Sequence, residues 1–210
     1  MPTTRYSRPV PNVILLRHGQ SQWNLENRFT GWMDVPLSPR GETEARAAGA
    51  KLRHQQIDRL YTSMLSRAIE TARIALEAAG TAPVPLESDV ALNERHYGDL
   101  EGLAKTEARR RFGPERLMHW RRSYHGRPPG GESLADTLAR VLPYWTNHML
   151  VDLRAELNVL VVAHSSSLRA LVMCLERLAP ARVIDVKIPT AVPLLYEMTR
   201  AGTVTAKRYL

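Results

Sequence analysis

Apolar residues in this chain fall into two patterns. Val13-Ile14-Leu15-Leu16 and Val159-Leu160-Val161-Val162-Ala163 are short unbroken runs, as expected of strands buried on both faces. Ala45, Ala48 and Leu52 instead recur at helical spacing behind Ser38-Pro39. Ser is a good N-cap and Pro suits the first helical position, so a helix is predicted from there through Leu52. Leu60 to Thr62 reads as a short strand. A second helix is predicted from about Ser66 to Gly80, where a glycine can end it. Glu132-Ser133 opens a further helical pattern that Pro143 should interrupt or kink. After the second apolar strand, a helix is expected from about Ser167 to Leu178. Strands alternating with helices predict an α/β fold, a three-layer sandwich with a mostly parallel central sheet.

The chain's 210 residues fit one domain of ordinary size. At 44% hydrophobic it can bury a full core. Residues 1–12, with two arginines and three prolines but no apolar stretch, read as a short N-terminal extension rather than a secretory signal. Residues 13–210 form a single catalytic domain in this reading. No apolar run approaches the roughly 18 to 20 residues needed to cross a bilayer. The lone cysteine, Cys174, cannot build a disulfide framework, and its apolar neighbours suggest a buried structural thiol. A cytoplasmic location is expected.

The formal net charge of +8 has two readings, a nucleic-acid surface or a cleft that concentrates a small anion. No helix-turn-helix, zinc-finger or RNP-type motif appears. The run Arg109-Arg110-Arg111 reads better as one solvated helix face.

Chemistry enters where the two apolar strands end. The first runs into Arg17-His18-Gly19 and the second into His164-Ser165-Ser166. In open α/β sheets ligands bind just beyond the carboxyl ends of the strands, so two histidines there can face one pocket. There is no His-x-His, His-Glu-x-x-His or Cys/His cluster to hold a metal. There is no Gly-x-Ser-x-Gly elbow for acyl chemistry either. Arg17, Arg67 and the Arg121-Arg122 pair favour phosphate, whose oxygens arginine matches two at a time. Ser21, Asn24 and Thr30 add hydrogen-bonding groups. A neutral imidazole among them can attack phosphorus and form a phosphohistidine.

The ordered blocks Leu16-Arg17-His18-Gly19-Gln20-Ser21-Gln22-Trp23-Asn24, Asn27 to Trp32, Tyr61-Thr62-Ser63 with Ser66-Arg67-Ala68, Leu92 to Gly98, Trp120 to Tyr124, Gly130 to Leu134 and Ala163-His164 resemble the cofactor-dependent phosphoglycerate mutases of the histidine phosphatase superfamily. The resemblance implies a phosphoglycerate mutase-like fold and roles position by position. His18 would be the phosphorylated nucleophile. Arg17, Arg67 and His164 would neutralise the moving phosphoryl group. Glu94 would be the general acid/base, a role that suits a carboxylate if a partly desolvated site raises its pKa toward neutrality. Ser21, Asn24, Thr30, Gly31, Tyr97, Lys105, Arg121, Arg122, Ser165 and Ser166 would bind the rest of the substrate.

The resemblance further implies interconversion of 3-phosphoglycerate and 2-phosphoglycerate in glycolysis and gluconeogenesis. The primer would be 2,3-bisphosphoglycerate, with no metal, nucleic-acid or membrane partner. A homodimer or homotetramer stays open. So does the alternative of a broad-specificity phosphatase acting on small phosphomonoesters. Three departures from the family stand out, covering four positions. Ser165-Ser166 replaces Gly-Asn, Ala104 replaces the Asn before Lys105, and Ala191 replaces a glycine that is expected to serve a positive φ. The segment between Tyr124 and Gly130 is short. Little chain follows Lys207-Arg208 to form a long lid.

Overall fold

The computed structural model describes residues 11–210. The predicted N-terminal extension therefore lies almost wholly outside the described residues, and Asn12 already belongs to the first strand. The strands are β1 (Asn12–Arg17), β2 (Arg59–Thr62), β3 (Leu86–Ser88), β4 (Val159–Ala163), β5 (Leu194–Met198) and β6 (Val204–Tyr209). The helices are α1 (Gln22–Leu25), α2 (Pro39–Leu52), α3 (Ser66–Ala79), α4 (Lys105–Phe112), α5 (Pro114–Arg122), α6 (Leu134–Tyr144), α7 (Leu150–Arg154), α8 (Ser165–Glu176) and α9 (Pro180–Val183).

One six-stranded sheet runs in the order β3-β2-β4-β1-β5-β6. β3, β2, β4 and β1 pair in parallel. β5 and β6 add antiparallel pairings at the other side. The sheet is thus mixed, parallel through its centre.

The unbroken apolar runs behave as expected of strands covered on both faces. In β4, Val159, Val161 and Ala163 pack into one core cluster with Trp145, Met149 and Leu171. Leu160 and Val162 point the other way, onto Leu52, Ala68, Ala72 and Ala75. The alternation follows from the period-two strand geometry. One helical layer is therefore α2 and α3, and the other is α6, α7 and α8, which gives the three-layer sandwich. A third, smaller cluster of Phe29, Leu100, Ala108 and Leu117 anchors α4 and α5.

The helix signals also work locally. Ser38 caps α2 through its side chain, with Pro39 behind it. Gly80 ends α3 at φ +70°. Ser133 and Asp136 cap α6 reciprocally. Pro143 interrupts the α-helix as expected: α6 ends at Tyr144 and the chain continues as a π-helical turn over Trp145–Met149 before α7. One expected bound needs correction, since α8 starts two residues earlier than Ser167, directly on His164. Cys174 is half-buried rather than enclosed, and burial pushes its thiol pKa up. Among the described residues, no helix is long and apolar enough to cross a membrane.

Candidate active site

β1 and β4 are adjacent and parallel, with Arg17 opposite Ala163. Each carboxyl end delivers one histidine. The His18 amide donates to the Ala163 carbonyl at 3.0 Å, so the two strand ends are tied before their side chains diverge. The rings of His18 and His164 lie 4.9 Å apart between centroids, tilted by 56°. Both are buried.

His18 Nδ1 sits 2.6 Å from the Gly19 carbonyl oxygen. A carbonyl can only accept, so Nδ1 carries the proton and Nε2 keeps its lone pair. Burial and then the charges of Arg67 and Arg17 hold the imidazole pKa well below its usual value, so the ring is neutral at pH 7. The loop cannot accept side chains. A Cβ on Gly19 would meet the Gly41 carbonyl oxygen at 2.3 Å, and one on Gly41 would meet the Gln20 carbonyl oxygen at 2.0 Å. The Gly19 amide is fixed by Thr71 Oγ1 at 3.0 Å.

Arg67 comes from the first turn of α3 and is almost fully buried. Its guanidinium donates to the Met33 and Gly31 carbonyls at 2.9 and 2.8 Å. Burial brings its pKa down to about 10, so it stays charged. Arg17 donates to the Ile188 carbonyl.

Glu94 follows a 3-10 turn (Val90–Leu92) and is buried. Its Oε1 accepts the Arg95 amide at 2.8 Å and the Ser166 amide, near the start of α8, at 3.0 Å. Burial alone would raise its pKa. Those hydrogen bonds and the charges of Arg17 and Arg95 outweigh burial and hold it below the usual carboxylate range. The condition of a pKa raised by desolvation is therefore not met here, because the desolvated oxygens are met by amide donors and cations. Nor does Glu94 simply pair with the Arg95 side chain, which reaches the Trp120 carbonyl and Tyr97 instead.

These groups open into one cavity of about 210 Å³. Of the residues singled out in the sequence, Arg17, His18, Asn24, Thr30, Gly31, Arg67, Glu94, Tyr97, Lys105, Arg121, Arg122 and Ser165 line it. Three do not. His164 is buried off the lining itself, its ring 4.9 Å from that of His18 and its Nε2 hydrogen-bonded to Ser63. Ser21 is buried and caps α1 reciprocally with Asn24. Ser166 holds Glu94 through its amide rather than facing the cavity. The sequence reading missed Arg28, Phe29, Arg95 and Arg169 on the wall. Arg169 was findable, since it stands one helical turn beyond Ser165 on α8.

Eight cationic side chains and a single carboxylate face this space. Among the described residues, the buried side-chain N and O atoms without a partner are Asn12 Oδ1, Arg17 Nε, Thr30 Oγ1, Arg95 Nε and His164 Nδ1. The last four belong to this site. Unpaired buried polar groups are costly and rare, and their gathering around positive charge suits an anion rich in acceptor oxygens.

The family model described as histidine phosphatase superfamily (branch 1) matches residues 13–208. The chain belongs to the histidine phosphatase superfamily. Its relatives include a 2,3-bisphosphoglycerate-dependent phosphoglycerate mutase of Nitrobacter hamburgensis, 50% identical over 93% of this chain and 95% of that one. A Cytophaga hutchinsonii protein of the same name is 47% identical over 96% and 94%. Among solved structures, Bacillus stearothermophilus YhfR superposes with a TM-score of 0.82 at 29% identity, covering 93% of this chain and 95% of that one. A mycobacterial glucosyl-3-phosphoglycerate phosphatase in complex with VO3 gives 0.81 at 28%, covering 95% and 97%.

The family departures now have physical readings. Ala191 stands at φ +50°, the left-handed conformation expected of a glycine there, at a cost of roughly 1–2 kcal/mol for a residue with a Cβ. Its amide donates to the Arg17 carbonyl. Ala104 occupies the N-cap of α4 without a side-chain cap bond, where an Asn would supply one. Ser165 stands on the cavity wall at the first turn of α8.

Proposed function

We propose that this histidine phosphatase superfamily enzyme is a phosphoglycerate mutase that interconverts 3-phosphoglycerate and 2-phosphoglycerate through phosphorylated His18. The observation that carries the reading is the reach of positive charge across the whole cavity. Arg67 is buried and Arg17 half-buried, and both charges bear on His18, whereas on the same cavity Lys105 is half-buried and Arg121 and Arg122 are exposed. A plain phosphatase needs only the first group. A mutase must also hold a bisphosphorylated anion while it reverses. When bound, 2,3-bisphosphoglycerate supplies the phosphoryl group that primes the histidine. The unpaired atoms of Arg17, Thr30, Arg95 and His164 fit such an anion.

His18 acts first, with its Nε2 lone pair attacking phosphorus as the bond from phosphorus to the leaving oxygen breaks. Arg17, Arg67 and His164 stabilise the equatorial oxygens where charge builds, in a site preorganised by backbone contacts. In the return step a substrate hydroxyl attacks the phosphoryl group and the bond from phosphorus to Nε2 breaks. Glu94, ionised in the resting site, takes the hydroxyl proton. An arriving phosphoryl dianion then raises its pKa, so that it can return the proton to the leaving oxygen in the next half-cycle.

A specific observation favours a second reading, a broad-specificity phosphatase for small phosphomonoesters. Some of the similar solved structures are phosphatases, and Ser165, which departs from the Gly of the resembling mutases, stands on the cavity wall. The test is incubation with 3-phosphoglycerate, with and without 2,3-bisphosphoglycerate, following 2-phosphoglycerate and free phosphate. Isomerisation dependent on the primer is expected. Phosphate release with almost no 2-phosphoglycerate would replace the mutase by the phosphatase.

A further inference from the structure

The superfamily reading accounts for His18 but leaves open what holds His164 in a useful protonation state. Ser63, at the end of β2, is fully buried. Its Oγ lies 2.7 Å from His164 Nε2 and accepts the Leu65 amide at 3.2 Å. The hydroxyl's own proton needs an acceptor, since a buried donor without one is costly. His164 Nε2 is the acceptor within reach. Were Nε2 itself protonated, Ser63 would accept twice and bury an unused proton.

We infer that Ser63 is a positioning residue that fixes His164 as the Nδ1-protonated tautomer, so that this N–H serves as a neutral hydrogen-bond donor to the transferred phosphoryl group. His164 Nδ1 makes no close hydrogen bond within the protein and is open to phosphoryl oxygen; the Ser167 amide in the cap of α8 also faces the ring, so Ser63 must outweigh that donor to set the tautomer. Burial and the charges of Arg67, His18 and Arg17 keep the ring neutral, so its tautomer decides what it offers. Without Ser63, a neutral His164 can equally well present a lone pair at Nδ1. A lone pair there repels phosphoryl oxygen. The two histidines then carry the proton on the same nitrogen but serve opposite roles. His18 uses its Nδ1–H to grip Gly19 and bares Nε2 for attack. His164 accepts from Ser63 at Nε2 and offers Nδ1–H.

The inference rests on His18 being the phosphoryl acceptor, but its test needs no turnover. Long-range proton–nitrogen NMR correlation of the imidazole rings in the full-length protein reads each tautomer directly. His164 should show a protonated Nδ1 and a bare Nε2, and inorganic phosphate should shift the Nδ1 proton. In Ser63→Ala the single pattern should give way to a mixture or to the Nε2-protonated form, with phosphate binding weakened about tenfold. Ser63→Thr, which keeps the hydroxyl, should restore the wild-type pattern. A wild-type His164 protonated on Nε2 overturns the inference whether or not either variant folds. An unchanged tautomer in Ser63→Ala overturns the role of Ser63. Failure to find phospho-His18 in a separate labelling experiment would instead count against the reading of the site as a whole.

Discussion

The two ends of the cavity are built in different ways. At the inner end the charged groups are clamped by the main chain. Arg67 is held by the Gly31 and Met33 carbonyls, Arg17 by that of Ile188, and Glu94 by two amides. At the outer end Arg121 and Arg122 are exposed on the last turn of α5. Among the described residues neither is in an ion pair. The Lys105 side chain is held by one bond, from its ammonium to Asn27 Oδ1. Arg121 rests over the Phe29 ring, 5.8 Å from its centroid. The inner end is thus preorganised, which stabilises developing charge without reorganisation. The outer end can adapt, as the proposed mutase reaction would require for an intermediate that turns around.

The comparison breaks first at Arg67. Arg67→Ala removes a fixed cation beside the phosphoryl group and should lower both 2-phosphoglycerate and phosphate formation by about 10² to 10³, the usual cost of losing one such donor. The partition between the two products should stay as it is. Kinetics of both outputs will decide, and a changed partition with little loss of rate would move Arg67 out of the inner shell.

Arg122→Ala should do the opposite. Losing one charge-assisted contact costs about 1.5–3 kcal/mol, roughly a tenfold to hundredfold loss in holding the intermediate. Mutase flux should fall while released phosphate rises relative to isomerised product. Partition of a labelled phosphoryl group measures this. An unchanged ratio would mean that the outer cations do not retain the intermediate.

A smaller effect sharpens the picture of the inner end. His18 and His164 are held neutral, with pKa values well below the usual 6.5. The unfolded chain therefore binds more protons than the folded one below about pH 6.5, and stability is lost as pH falls from there. Each histidine adds a slope of up to about 1.4 kcal/mol per pH unit. His18→Gln should flatten the dependence of unfolding free energy on pH between about 6.5 and 5. An unaltered slope would show that the imidazole is not buried as a neutral ring. The smallest expected effect is that of a chelator. EDTA should leave activity unchanged, and a loss restored by a divalent ion would contradict the reading.

The inner end was legible in the sequence because it rests on strong local signals. Unbroken apolar runs mark β1 and β4, and each histidine follows its strand directly. The Ser38-Pro39 cap and Gly80 mark α2 and the end of α3. The outer end was less legible. β3 has only three residues with two exposed, and β6 is an edge strand that alternates with solvent. Neither carries a burial signal. α4 and α5 are charged helices held by a small separate cluster, so periodicity against the main core does not reveal them. The pKa of Glu94 depends in part on an amide brought from a helix more than 70 residues away, which no local pattern encodes. The role of Ser166 as an amide donor rather than a side-chain ligand is hidden for the same reason.

The central claim is that His18 carries the phosphoryl group. The direct measurement is to incubate the protein with radiolabelled phosphoryl donor, quench in alkali and map the label. One label per chain, stable in alkali, labile in acid and located on the peptide containing His18, is predicted, with none on His18→Ala. Label on another residue, or undiminished labelling of His18→Ala, would contradict it.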